Sequence, residues 1–340
     1  MKNLNYMFNL CLPVSTGKIK SISLTFFLCG LLIIMMTVYF IPPISAGADH
    51  PPVLVVVDNH PSSQPQAGLN QADIVFEFLV EGGITRFLAG YNRDLPPQRV
   101  GPVRSLRPYM VKLTEGFDPV IFHAGGSSKA MENLEASSAE SVNELIRPGY
   151  FWRDEGRKTP HNLYTGKEGI TRAAEDMNLK RTSDNDIGQH LSFRGEGEAE
   201  SKKHTVLAAD DDELKRIELS FRGQNLTYEF DDDSGRFYRY TGGGPHRDET
   251  GEIINFKNLA VIFAPHKTID EEGRKRIHLD SGGAAYFLTG RKSYKGTWDY
   301  DSQKDELRLD GVGADSSFAE HLESETWFHV LPEDAEMEIY

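Results

Sequence analysis

Between Asp73 and His161 the chain sets charged residues inside apolar runs: ADIVFEFLVEGGITRFLAGY, then VGPVRSLRPY, IFHAGG and RKTPHN. A charge removed from water is costly unless an opposite charge or several hydrogen bonds compensate it. A fold of this chain must therefore bring these charges together or leave them at a cleft. That places a polar site in the first half of the chain without naming its ligand or its reaction.

The strand pattern sharpens the expectation. Residues 74–81 and 84–91 flank Gly82-Gly83, which reads as a hairpin with a two-residue primed turn. In that register Glu81 pairs with Ile84 and Leu79 with Arg86, so Glu77, Glu81 and Arg86 share one face amid Val75, Leu79 and Leu88. Short strands are expected at 53–57 and 119–123, with a helix opening at Pro108 and another after the Gly125-Gly126 turn. Strands alternating with helices predict an α/β domain over residues 50–182. Residues 183–203 are polar and rich in Gly and Glu, and read as a linker. From 204 to 340 short apolar runs broken by Gly, Asp and Asn predict a smaller β-rich, α+β domain.

Residues 22–41 carry no charge and match the thickness of a bilayer core. Lys2, Lys18 and Lys20 precede them, which puts residues 1–21 in the cytoplasm and the rest of the chain outside. The reading is one transmembrane anchor ahead of the two domains, or an uncleaved signal; Ala46-Gly47-Ala48 offers a cleavage site for the alternative of a removed signal peptide. Both cysteines, Cys11 and Cys29, precede the exported part, so no disulfide is expected there. A net charge of -14 over 340 residues argues against a nucleic-acid partner and requires a local positive pocket for any anionic ligand.

Five constellations could carry chemistry. Glu77 and Glu81 beside Arg86 could do acid–base work, or could form a structural ion network. Arg104 and Arg107 could converge on an anion at a helix start, or one could neutralise Glu77 or Glu81 while the other lies on the surface; the acids and arginines could also form one cluster. His123 leads into the Gly125-Gly126 turn, which either presents backbone N–H groups or is an ordinary tight turn. Pro160-His161-Asn162 holds an imidazole rigidly, for chemistry or as a helix cap. His246 and Asp248 form a dyad or a solvated turn. Residues 77 and 81 lie roughly 13 Å apart along one strand, so a partner carboxylate such as Asp58 suits a two-carboxylate mechanism better. There is no H-E-x-x-H, no cysteine ligand in the exported part and no G-x-S-x-G. No metal and no cofactor are expected.

Taken in order, ADIVFEFLVEGGITRF, VGPVRSLRPY, FHAGG, RKTPHN, GPHRDETGEI and GTW resemble the YerB-like family of bacterial extracytoplasmic proteins, over residues 51 to 332. The positions that match its motif are Glu77, Glu81, Gly82, Gly83, Thr85, Arg86, Gly101, Pro102, Arg104, Arg107, His123, Gly125, Gly126, His161, Asn162, His246 and Asp248. The resemblance implies an envelope location, a role near cell-wall machinery, and an N-terminal α/β part followed by a smaller β-rich part. It supplies no mechanism. It also implies a lipid-bearing cysteine after the leader, whereas Cys29 sits mid-run and reads as a membrane-embedded thiol.

Two functions follow as expectations. The first is a membrane-anchored envelope module that binds an anionic or glycan ligand, or a cell-wall protein, through Arg86, Arg104, Arg107, Gly125, Gly126, Asn162, His246 and Asp248. The second is a hydrolase or transferase on an envelope glycan, with Glu77, Glu81, His123 and His161 as catalytic residues.

Overall fold

The computed structural model describes residues 51–92, 96–180, 191–194, 206–207, 214–310 and 325–340. The 22–41 segment and most of the 183–203 linker lie outside the described residues. Residues 47–340 form one compact unit.

An 11-stranded mixed sheet runs through it. From one edge, its strands are β5 (Glu140–Asn143), β4 (Val120–His123), β1 (Val53–Asp58), β3 (Thr85–Tyr91) and β2 (Ile74–Leu79). Next to β2 comes β21 (Thr326–Pro332), near the end of the chain, then β15 (Asn258–Ala264), β18 (Gly283–Thr289), β19 (Lys292–Asp301), β20 (Glu306–Asp310) and β8 (Leu191–Arg194). A second, 7-stranded sheet holds β13 (Gly244–Pro245), β12 (Arg236–Thr241), β11 (Gln224–Asp231), β10 (Arg216–Phe221), β22 (Glu336–Ile339) and β9 (Val206–Leu207) in line, with β14 (Asn255–Phe256) on β12. Two short ribbons, β6 (Trp152–Arg153) with β7 (Leu163–Tyr164) and β16 (His266–Thr268) with β17 (Lys275–Ile277), complete the strands.

The large sheet is covered on both faces, which is why β1 and β2 read as continuous apolar runs. On one face Val55, Val75, Phe87 and Trp327 pack against Ile217, Tyr228 and Phe237 of the second sheet. On the other, Leu54, Phe76, Leu88 and Phe328 pack against two short helices, α1 (Pro108–Leu113) and α2 (Ser128–Ala136). A third helix, α3 (Lys167–Asp176), buries Ile170 and Ala173.

The expected α/β first domain is corrected by this architecture, while the expected anchor at 22–41 falls outside the described residues. The protein is mostly β, and its longest described helix has 10 residues. Among the described residues no helix is long and apolar enough to cross a membrane. The strand–helix alternation seen in the sequence is real but local. Strands β1, β3 and β2 are joined antiparallel, and parallel pairing among the described strands of the first half is limited to β1 with β4 and β4 with β5, the latter pair spanned by α2.

The hairpin register also differs from the expected one. Val80 donates to the Ile84 carbonyl at 2.9 Å, so the loop is three residues, Glu81-Gly82-Gly83, not two. Gly82 and Gly83 both sit at φ 73, a left-handed backbone that suits glycine. The extra loop residue slides the pairing by one: Glu77 faces Phe87 and Phe78 faces Arg86. A one-residue slip flips side chains to the opposite face. Glu77 therefore points toward the second sheet, and Arg86 away from it.

One close approach fixes how β18 meets β15. A Cβ on Gly283 would lie 2.3 Å from the Phe263 carbonyl oxygen and 2.8 Å from Trp298 Nε1. That indole donates to the same carbonyl at 2.9 Å. Gly283→Ala is expected to cost about 2 kcal/mol, read as a lower urea midpoint with an unchanged slope.

Candidate functional site

The charged residues fall into two centres on opposite faces of the large sheet. The first is closed. Glu77 is 1% exposed. Its Oε1 accepts from Thr85 Oγ1 at 2.6 Å and Arg239 Nη2 at 3.0 Å, and its Oε2 accepts from Trp327 Nε1 at 2.8 Å. Arg239, on β12 of the second sheet, is fully buried and lies 4.9 Å over the Trp327 ring. Its Nη1 donates to the Tyr228 hydroxyl, which in turn meets His329 Nε2. Because the Tyr228 oxygen accepts from Arg239, its proton goes to His329. The His329 Nδ1 proton then faces Glu77 Oε2, 3.6 Å away.

The same arginine begins a chain of bonds that returns to Glu77. Arg239 Nε donates to His246 Nδ1 at 3.0 Å, and His246 Nε2 to Gln66 Oε1 at 2.8 Å. Gln66 Nε2 donates to Asn59 Oδ1 at 3.0 Å, Asn59 Nδ2 to Thr85 Oγ1 at 2.7 Å, and Thr85 to Glu77. Every donor points from the guanidinium toward the carboxylate, which fixes the His246 tautomer and both amide orientations. Burial raises the cost of the Glu77 charge, but the Arg239 charge, with His329, Thr85 and Trp327 behind it, outweighs that and holds its carboxyl below the usual value. Asp248 braces the same loop: its Oδ2 accepts from the Gly68 amide at 3.1 Å.

The second centre begins where β1 ends. Asp58 is fully buried and lies opposite Arg86 across the β1–β3 pair. Its Oδ1 accepts from the His60 amide at 3.1 Å. Its Oδ2 lies 2.6 Å from His161 Nδ1 and 3.1 Å from Arg104 Nε. A carboxylate can only accept, so His161 carries a proton on Nδ1, and in its neutral form the lone pair is on Nε2. The His161 ring stacks on His60 with centroids 4.6 Å apart.

The loop that carries His161 is tied down on both sides. Arg157 donates to the carbonyls of Ser63 at 2.8 Å and Pro65 at 2.7 Å. Asn162 Nδ2 donates to the Asp154 carbonyl, and its Oδ1 accepts from Arg153 Nη1. Among the described residues, His161 Nε2 and the two terminal nitrogens of Arg104 make no hydrogen bond. Arg86 is 4% exposed; its Nη1 donates to the Ser105 carbonyl at 2.7 Å, while its buried Nε has no partner. Burial and the neighbouring Arg107 lower the Arg86 pKa to about 10, which leaves it cationic at neutral pH. Arg107 pairs with Glu81 at 2.7 Å. Burial pushes the Glu81 carboxyl up, but Arg107 outweighs it and the pKa is lowered. Three arginines thus face two carboxylates here, in a chain whose net charge is -14.

The remaining residues singled out in the sequence form a third, separate feature. His123 is buried, with Nδ1 2.7 Å from the Gly125 carbonyl oxygen and Nε2 2.8 Å from Ser141 Oγ. Burial lowers its pKa. The Gly125 amide donates to Asn143 Oδ1, and Gly126 bridges to Leu106. This turn is bonded to the 104–107 segment.

So the structure joins Arg104 and His161 on Asp58 opposite Arg86, pairs Arg107 with Glu81, sets Glu77 and His246 around Arg239, and ties the Gly125-Gly126 turn after His123 to the 104–107 segment. Sequence reasoning missed Arg239, Trp327, His329, Gln66 and His60. One signal was available: in RFYRYT, Arg239 falls two residues after Phe237, on the inward face of the alternation.

Removing Arg239 alone should strand a buried carboxylate. Arg239→Met is expected to lose about 3–5 kcal/mol of stability, and adding Glu77→Leu should return part of it. Urea titrations of the two singles and the double measure this coupling. Acid should act on the same centre. Burial holds His246 at about 3 and His329 at about 4, below the ordinary 6.5. Below pH 6.5 the unfolded chain takes up protons there that the folded chain refuses, so stability falls as pH drops toward 4. The slope is roughly 1.4 kcal/mol per pH unit for each histidine. Glu77, whose pKa is lowered from 4.5, adds a loss of the same sign once the pH passes below 4.5. Melting temperatures from pH 7 to 4 should decline throughout, and less steeply in His246→Gln.

Two family models match the chain: "Protein of unknown function (DUF3048) N-terminal domain" over residues 42–180, and the corresponding C-terminal domain over 217–318. The chain is 34% identical over 288 residues to the "Putative lipoprotein YerB" of Bacillus subtilis (strain 168), covering 83% of this chain and 81% of that one. The crystal structure of the YerB protein from Bacillus subtilis superimposes with a TM-score of 0.67 at 30% identity, over 85% of this chain and 93% of that chain. With matching models in both halves and that identity over most of both chains, the protein belongs to the YerB-like DUF3048 family.

Proposed function

We propose that this protein works at the cell envelope and binds an anionic group there, a phosphate or carboxylate on an envelope glycan, through Arg104 and Arg86 beside His161. The single observation that carries this reading is the state of those arginines. Arg86 is nine-tenths buried with an unpartnered Nε, and the terminal nitrogens of Arg104 make no bond among the described residues. Guanidinium groups held without enough acceptors are matched to a planar or tetrahedral oxyanion, which accepts from both. The envelope location rests on the relative named as a putative lipoprotein. Glu77 and His246, whose polar atoms are already spent on Arg239, Thr85, Trp327 and Gln66, act in this reading as the frame that holds the site.

Thermal melts of the full chain against inorganic phosphate and glycerol phosphate test the reading. The wild type should gain stability with ligand, about 2.7 kcal/mol at a hundredfold excess over Kd. Arg104→Ala should fold, since it removes a partly exposed side chain, and should lose that gain. A wild type that phosphate does not shift, or an Arg104→Ala variant shifted equally, sinks the proposal.

A further inference from the structure

We infer that Asp58, His161 and His60 form an acid–base centre that hydrolyses a phosphoester held by Arg104 and Arg86; this rests on the anion-binding reading above. The imidazoles of this protein are not alike. His123 and His246 use both ring nitrogens in bonds to the protein, and His329 is fully buried. His161 commits only Nδ1, to a buried carboxylate, and its side chain keeps 14% of its surface exposed.

His60 is its complement. His60 Nδ1 accepts from the Ser62 amide at 3.0 Å, so its lone pair is there and its proton is on Nε2. The two stacked rings therefore carry a lone pair at His161 Nε2 and an N–H at His60 Nε2. That is a base and a donor on adjoining rings, and Arg104 lies on the same Asp58 carboxylate that holds His161.

The chemistry balances without any further reactant. A water oxygen attacks phosphorus while His161 Nε2 takes its proton, and Asp58 stabilises the imidazolium that forms. The phosphorus–oxygen bond to the leaving group breaks, its electron pair stays on the leaving oxygen, and the proton on His161 passes to that oxygen. Arg104 and Arg86 offset the charge on the non-bridging oxygens, and His60 donates to one of them. The products are an alcohol and a phosphate with one ester bond fewer. A glycosidase would need a second free carboxylate; Asp58 is bonded to His161 and Glu81 to Arg107. No serine or cysteine is bonded to His161 among the described residues, so water is the nucleophile. His161 and His60 are the catalytic residues, and Asp58 is a positioning residue.

The test uses the full chain with bis(p-nitrophenyl) phosphate and p-nitrophenyl phosphate as probes, alongside phosphate-induced melting shifts of every variant. The wild type should release nitrophenolate from at least one probe. His161→Gln should bind phosphate as the wild type does and lose 10²-fold or more of the rate. His161→Gly should regain part of the rate with added imidazole, a rescue that a merely structural histidine would not show. Asp58→Asn should lower kcat with little change in KM. If phosphate shifts the melt but neither probe turns over, or if His161→Gln hydrolyses normally, the catalytic inference is overturned and the binding reading stands. If phosphate binds nowhere, both are overturned together.

Discussion

The buried Glu77–Arg239 pair is the contact that the rest of the structure leans on. It joins β2 of the large sheet to β12 of the second sheet, 162 residues apart in the chain, at a separation of 3.0 Å. A buried ion pair is weak evidence of net stability, since two well-packed apolar residues can match it. Its effect here is positional. Either charge alone would be intolerable in the core, so the two sheets have one allowed relation in which both are neutralised. Trp327 and Tyr228 reinforce that relation by donating to Glu77 and accepting from Arg239.

The same pair reaches the other face of the sheet through the 59–66 turn. Gln66 stands at the junction: its Oε1 takes the His246 proton, and its Nε2 serves both Asn59 and the Asp58 carbonyl. Ser63 Oγ donates to that carbonyl too. The backbone of Asp58 is thus held from the closed centre while its carboxylate faces the open one. Partners that orient a reactive group through such outer contacts commonly matter as much as the group itself.

Much of this was legible in the sequence, and the failures have physical causes. The charges inside apolar runs marked residues that do lie in or beside the core. Arg104 and His161 meet on Asp58, the carboxylate named as a possible partner, and Arg107 pairs with Glu81. What could not be read was which acid meets which base. Glu77 and Arg86 seemed partners because a two-residue turn was assumed; one more loop residue sent them to opposite faces. Arg239 is separated from Glu77 by 162 residues of chain, and local patterns carry no information about such pairings. The α/β reading failed for a related reason. Strands β2 and β21 lie side by side, yet their pairing closes a span of about 250 residues, from Glu77 to Trp327, that no window of sequence displays.

The two centres differ most in how they treat a proton. In the closed ring, a proton on His246 Nδ1 would face the Arg239 Nε–H and remove the acceptor that hydrogen has among the described residues. Desolvation opposes it further, so that imidazole is held neutral down to a pKa of about 3. In the open centre, a proton on His161 Nε2 displaces no bond among the described residues, and Asp58 lies 2.6 Å from the other nitrogen to balance the charge. Fold and chemistry ask opposite things of a polar group: the first asks that every valence be spent, the second that one be kept. On β2, Glu77 and its neighbours meet the first demand on one face; at the end of β1, across β3, His161 on Asp58 leaves one valence open among the described residues.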